Sequence, residues 1–214
     1  MTDAAGNVYV AVNLKPPDRL WPPFVKKTKD APKTYYSMYG SVLKFPPEGG
    51  RILHPPGKPK KGEKKLERPW PPEGVENMVR LGHHGRYWGR PGYAYVKGAS
   101  WVRYGFSMVP GGGACACYTD RFTVDRYQRV FIPDIGRFEV LVVDANNNEL
   151  FRFGDYGNED SAGPDSKVPV PEVPLSWPYA VSVGKNGVYV SDFINRRILR
   201  VELKYEAEET CEIR

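Results

Sequence analysis

Short apolar runs separated by polar turns recur along the second half of this chain and predict β-strands. Phe131 with Pro133, and Val188 with Val190, show the period of two residues that a strand requires. Between such runs lie segments whose Gly, Asn and Asp residues suit tight hairpin turns: AAGN, RYQR, GKNG and DANNNE. The pattern predicts an all-β chain of antiparallel hairpins, with 138–144 pairing with 150–153 and with Asn146 and Asn147 at an exposed tip.

The same pattern of strands and turns occurs more than once. The segment that starts at Phe122 aligns without a gap with the segment that starts at Ala180, so that Asp134 matches Asp192 (192 − 134 = 58). A weaker copy opens the chain, where Asp3 matches Asp125 (125 − 3 = 122) and GSVLKFPPEGGRIL echoes FEVLVVDANNNELF. A repeated block of about four strands is typical of propellers and other repeat architectures. Because one block cannot bury both of its faces, we expect the copies to stack.

The last copy, WPYAVSVGKNGVYVSDFINRRILRVEL, resembles the NHL repeat. This β-propeller blade has a Pro-led first strand, a second strand of the VYVSD type and an Asn-Arg corner before the third. Pro178, Val188–Asp192, Asn195 and Arg196 carry the match. The resemblance covers roughly 120–213 well and 1–55 weakly. It implies a partial β-propeller of NHL-like four-stranded blades with a long Pro-rich insertion.

The resemblance divides the chain into five parts. These are a partial NHL-like blade with an insertion (1–55), a basic Pro-rich linker or loop (56–73), a Gly- and aromatic-rich elaboration (74–119), and two NHL-like blades (120–170 and 171–214). A closed propeller needs at least about four blades. We therefore expect these to be the carboxy-terminal blades of a longer protein, with its further blades among the partners.

The polar residues at the ends of the strands are expected to form structural corners. Asp134, Asp192, Asn195 and Arg196 belong to this group. Polar groups at strand ends usually satisfy backbone atoms. Asp192 is therefore expected to accept hydrogen bonds from turn amides, or from Arg196 or Arg197. A catalytic role for Asp192 is the alternative, and no residue of the chain is assigned as catalytic.

Charge is unevenly distributed along the chain. The net charge is +6, and most lysines lie in the Pro-rich stretches 26–33 and 57–68. These loops either face water or meet a polyanion such as RNA. Arg86, Trp88 and Arg90 are candidates for stacking on bases or sugars, or alternatively for covering blade edges. No apolar run approaches the roughly 20 residues of a membrane span.

The redox state of the three cysteines would indicate the cellular compartment of the protein. Cys117 precedes a predicted first strand and Cys211 lies in the predicted last one, so a Cys117–Cys211 disulfide is expected, with Cys115 as the alternative partner. Free thiols and a metal site remain open. A disulfide implies an extracytoplasmic location, periplasmic or secreted, whereas free thiols imply the cytoplasm.

Two groups of residues are weak candidates for metal binding. His83 and His84 lie between glycines, a setting that permits both rings to reach one ion. The acidic loop 154–166 includes Asp155 and Asp160 and offers oxygen ligands, although its spacing does not fit the helical calcium loop. No cofactor is expected, with calcium as the alternative.

These observations favour a binding or interaction scaffold. A protein or small ligand would sit at the channel mouth or on the insertion. Two alternatives remain: part of a propeller enzyme whose active site needs further blades, and an RNA-binding propeller. A fold of this kind constrains function weakly.

Overall fold

The structure is a computed structural model that describes residues 1–12, 14, 16, 39–53, 76–80, 92–107, 121–158, 161, 167 and 170–204. The described residues form fifteen strands. The strands are β1 (Val8–Val12), β2 (Tyr39–Phe45), β3 (Arg51–Leu53), β4 (Glu76–Arg80), β5 (Gly92–Lys97), β6 (Trp101–Ser107), β7 (Thr123–Val124), β8 (Val130–Asp134), β9 (Glu139–Val143), β10 (Glu149–Phe153), β11 (Asp155–Tyr156), β12 (Pro174–Leu175), β13 (Pro178–Gly184), β14 (Gly187–Asp192) and β15 (Arg197–Val201).

Four small antiparallel sheets contain most of these strands. We name them sheet I (β3-β5-β4), sheet II (β1-β2-β6), sheet III (β10-β9-β8-β7) and sheet IV (β13-β14-β15). Strands β11 and β12 form a separate parallel pair. The all-β prediction is confirmed. Within the described residues none of the sheets closes on itself, and the propeller stays a prediction.

Three apolar clusters hold the four sheets in a stack. Leu43 of sheet II packs with Val96 of sheet I, and Tyr9 of sheet II packs with Ile132 of sheet III. Phe131 lies in the third cluster, between sheets III and IV. Successive residues of β8 thus face opposite neighbours, and all five of its residues are buried. The stacking order is I, II, III, IV.

The repeat is visible in the pairing of the strands. Strand β9 begins and ends 58 positions before β15 (197 − 139 = 58), and Asp134 pairs with Glu139 as Asp192 pairs with Arg197. The amino-terminal copy shows the same pairing at its first turn, because Thr2 forms a bridge with Val8 as Val124 pairs with Val130. The hairpin β9–β10 pairs as predicted, and Asn146 is exposed at its tip, whereas Asn147 is partly buried.

The gap-free alignment is wrong in the first strand of each copy. Val124 pairs with Val130 across five intervening residues, whereas Val183 pairs with Val188 across four. The turn of sheet IV is therefore one residue shorter, and the first strands are related by 59 positions (183 − 124 = 59). Phe122 consequently corresponds to Val181 rather than to Ala180. Since side chains alternate along a strand, one residue decides which face is buried.

One hairpin turn with an aspartate at its start occurs three times. In each, the Oδ1 atom of the aspartate accepts hydrogen bonds of 2.8–3.0 Å from the amides two and four residues later. The residue three positions later has a left-handed backbone. The three turns start at Asp3, Asp125 and Asp144, and their left-handed residues are Gly6 (φ 83°), Gln128 (φ 62°) and Asn147 (φ 70°). The third of these turns was not found by aligning the repeats.

Sheet II departs from the repeat at its edge. The predicted echo holds for β2, which corresponds to β9, but the RIL segment aligned with β10 forms β3 and pairs with β5 in sheet I. Strand β6 takes the edge position instead, with Trp101 opposite Lys44. The turn after β2 has two prolines and no aspartate, and its Gly49 amide bonds to Pro46 O at 2.8 Å. Ser100 then donates to Lys44 O at 2.7 Å, so β6 occupies the edge of β2.

Candidate functional site

The corner at the end of β14 is built around a buried carboxylate. Asp192 is fully buried. Its Oδ1 atom accepts hydrogen bonds from the amides of Ser176 at 3.1 Å and Trp177 at 2.8 Å. Its Oδ2 atom accepts from Asn195 Nδ2 at 2.6 Å and Arg197 Nε at 3.3 Å. Four donors saturate the carboxylate, which fits a structural role and leaves little capacity for proton transfer.

The equivalent corner of sheet III uses similar geometry. Asp134 is buried, and its Oδ1 atom accepts a hydrogen bond from the Gly136 amide at 3.0 Å. Its Oδ2 atom lies 3.9 Å from Arg137 Nε. The last residue of each corner, Phe138 or Arg196, has a left-handed backbone. Arg196 thus shapes its corner through its backbone, and the arginine that contacts Asp192 is Arg197.

The second face of sheet IV differs sharply from its counterpart in sheet III. We call it the outer face of sheet IV: Tyr189, Ser191, Phe193, Ile198 and Arg200. The counterparts in sheet III are all buried: Phe131, Val140 and Val142 lie in the cluster between sheets III and IV, and Pro133 and Ile135 are the other two. None of the three clusters formed by the described residues contains a side chain of the outer face.

Exposure makes this difference quantitative. Val140 is fully buried, but Ile198 at the same repeat position is 72% exposed. Ile135 is 5% exposed, whereas its counterpart Phe193 is 51% exposed. A large apolar residue scattered singly on a surface needs no explanation, but a set at positions that bury apolar residues one repeat earlier marks a candidate interaction surface.

Polar groups limit the apolar part of the outer face. Arg200 replaces Val142 and is exposed, and Ser191 replaces Pro133. Tyr189 keeps the aromatic ring of Phe131 and adds a hydroxyl. A ring with a polar tip and a nearby guanidinium are typical of protein interfaces, where Tyr and Arg are enriched.

A cleft lies at the opposite end of sheets III and IV from the buried corners. It has a volume of ≈ 810 Å³ and separates the turn Asp125–Arg129 from the turn Gly184–Gly187. These are the first hairpin turns of two successive copies. The lining includes Arg126, Tyr127, Lys185 and Glu202.

Most of the predicted binding, metal and disulfide residues lie outside the described residues. They are His83, His84, Arg86, Trp88, Arg90, Cys115, Cys117, Asp160 and Cys211. The disulfide and the extracytoplasmic location therefore stay predictions. Asp155 is described and exposed, and its Oδ1 atom accepts a hydrogen bond from the Tyr156 amide at 2.7 Å. Among the described residues no three His, Cys, Asp or Glu side chains are grouped as metal ligands would be.

Comparisons with family models, curated proteins and solved structures produced no match to this chain. The resemblance to the NHL repeat therefore rests on the residues quoted for it and stays a prediction. In the described part of the chain, no helix has the length and hydropathy needed to cross a membrane.

Sequence reasoning identified the corners and missed both surfaces. Ile198 and Val140 look alike in the alignment, since each is an apolar residue at the same position of a strand. Only the stacking order shows which of the two is covered. The cleft was missed for a similar reason, because Arg126 and Lys185 are brought together by sheets that pack side by side. A signal did exist in the outward-facing replacement of Val142 by Arg200.

Proposed function

We propose that this protein is an interaction scaffold of the NHL-like propeller type, and that the outer face of sheet IV binds its protein partner. The partner would present a β-sheet with a face of branched apolar side chains, either from further blades of the same protein or from another chain. The observation that carries the proposal is the contrast between Val140, which is fully buried, and Ile198, which is 72% exposed.

Packing within the molecule supports a sheet as the partner. Sheets II and III each present the equivalent face, which contains Tyr9 or Phe131, to the next sheet in the stack. Tyr189 continues this series. Ile198 is 72% and Phe193 51% exposed, so burying them against such a partner would contribute roughly 1–2 kcal/mol each before the entropic cost of association.

A site-specific crosslink tests the proposal. The photoreactive residue p-benzoylphenylalanine is placed at position 198 and, as the matched control, at Leu150, an apolar residue of sheet III that is 47% exposed. In a native extract we expect a specific crosslinked product from position 198, with the linked partner peptide in a β-strand. No such product is expected from position 150.

Other outcomes separate the alternatives. Equal products from both positions would reject the outer face as the binding surface. Crosslinks at neither position, together with salt-sensitive binding to RNA, would favour the RNA-binding alternative. Catalytic turnover that appears only when further blades are supplied would favour the enzyme alternative.

A further inference from the structure

The charged side chains of the cleft between the first turns of sheets III and IV differ in whether they form ion pairs. Arg129 is paired: its Nε and Nη2 atoms each lie 2.7 Å from Oδ2 of Asp125. That same carboxylate also accepts the Tyr127 and Arg129 amides at 2.9 Å. Asp125 and Arg129 therefore cancel one another and hold the turn in shape.

Two further cations in the cleft have no carboxylate partner among the residues that the structure describes. Among the described residues, Arg126 and Lys185 take part in no ion pair. They belong to opposite walls, since Arg126 lies in the turn of sheet III and Lys185 in the turn of sheet IV. Among the described lining residues Glu202 is the acidic residue that remains, so the unpaired charge of these residues sums to a net positive value.

The guanidinium of Arg126 is held in position by an aromatic ring. It lies 4.6 Å from the centre of the Tyr127 ring and also donates a hydrogen bond to the Tyr127 hydroxyl. Arg129 lies 5.3 Å from the same ring. Tyr127 is thus a positioning residue, whose stacking reduces the freedom that Arg126 would lose on binding.

We infer that this cleft is a binding site for an anionic oxygen group, a phosphate monoester or a carboxylate. Arg126 supplies a planar fork of donors that matches such groups in two parallel hydrogen bonds, and Lys185 supplies a point charge from the facing wall. The inference is independent of the outer face of sheet IV.

Titration of the folded chain with inorganic phosphate and, separately, with acetate tests this inference. Backbone amide resonances are followed by NMR at low ionic strength. Saturable shifts are expected at 126–127 and 184–187 with at least one of the two anions. The anion that binds more tightly indicates whether the ligand of the cleft carries a phosphate or a carboxylate group. Losing one charged hydrogen-bond donor is expected to weaken binding about 10-fold or more.

Five variants make the result decisive. Arg126→Gln and Lys185→Gln are expected to weaken binding, whereas the control Lys97→Gln, an exposed lysine on β5, is expected to leave it unchanged. Tyr127→Phe keeps the ring and should weaken binding less than Tyr127→Ala does. Amide spectra outside the cleft report whether each variant is folded. The absence of saturable shifts with either anion, or equal effects of Arg126→Gln and Lys97→Gln, would overturn the inference.

Discussion

Phe138 and Arg196 lie at the same position of two successive copies and share a left-handed backbone, with φ of 60° and 50°. Neither is a glycine or an asparagine, the residues that most often adopt this conformation. The conformation must therefore be imposed by the corner around it. In each corner a buried aspartate binds the loop or its neighbours, so the fold overrides the local preference of the residue.

This conflict predicts a stabilising substitution at Arg196. Its side chain is exposed, and a left-handed conformation costs an L residue about 1–2 kcal/mol. We expect Arg196→Gly to raise the free energy of unfolding by roughly 0.5–1 kcal/mol after the greater entropy of glycine in the unfolded chain is deducted. Urea denaturation measures this. The control Arg200→Gly, in an extended strand, should lower the free energy of unfolding. An equal decrease in both variants would contradict backbone strain at Arg196.

The buried corner predicts a large loss of stability at Asp192. In Asp192→Ala the amides of Ser176 and Trp177 and the guanidinium of Arg197 lose their acceptor. Buried donors without partners are costly, so we expect a loss of at least about 2 kcal/mol by urea denaturation. Asp155→Ala, at an exposed aspartate, serves as the control and should stay within about 0.5 kcal/mol. Comparable losses in the two variants would contradict a structural role specific to the corner.

The stacking order predicts opposite responses at two equivalent positions. Val140→Ala removes two buried carbon atoms from the contact between sheets III and IV and is expected to cost about 2 kcal/mol. Ile198→Ala removes atoms that are largely exposed and is expected to cost less than about 0.5 kcal/mol. Thermal unfolding of the isolated chain compares them. A large loss at Ile198 would mean that the outer face is covered within the chain.

The turn at Asp144 predicts a dependence of stability on pH. Hydrogen bonds from the Asn148 side chain, and then from the amides of Asn148 and Asn146, hold the pKa of Asp144 below its ordinary value of 3.8. A carboxyl whose pKa is lower in the folded state stabilises the fold above 3.8, and this contribution is lost as the pH falls from there through the folded pKa. Asp144→Asn should therefore show a shallower loss of stability below about pH 4. Measuring the melting temperature as the pH is lowered compares the two chains. Identical dependence on pH would contradict a contribution of the Asp144 carboxylate to acid stability.

Local features of the fold were predictable and neighbour relations were not. The turns at Asp125 and Asp144 follow from residues that lie within five positions of each other, and the corner at Asp192 follows from its place in the repeat. The turns Asp125–Arg129 and Gly184–Gly187 differ in length by one residue. The gap-free alignment missed this difference, because the spacing of the apolar residues does not reveal it. The edge position of β6 could not be predicted either, because it depends on which distant strand pairs with β2.

The route of the chain through sheet II has a consequence for how the molecule folds. Lys44 and Trp101 pair although they are 57 positions apart (101 − 44 = 57), whereas Asp134 and Glu139 pair across a corner of four residues. The entropy lost on closing a loop grows with its length, and distant pairings slow folding. Sheets III and IV should therefore acquire protection from hydrogen exchange early during refolding. β6 should join its sheet late, and until it does, β2 presents an unpaired edge at which a refolding chain can associate with its neighbours.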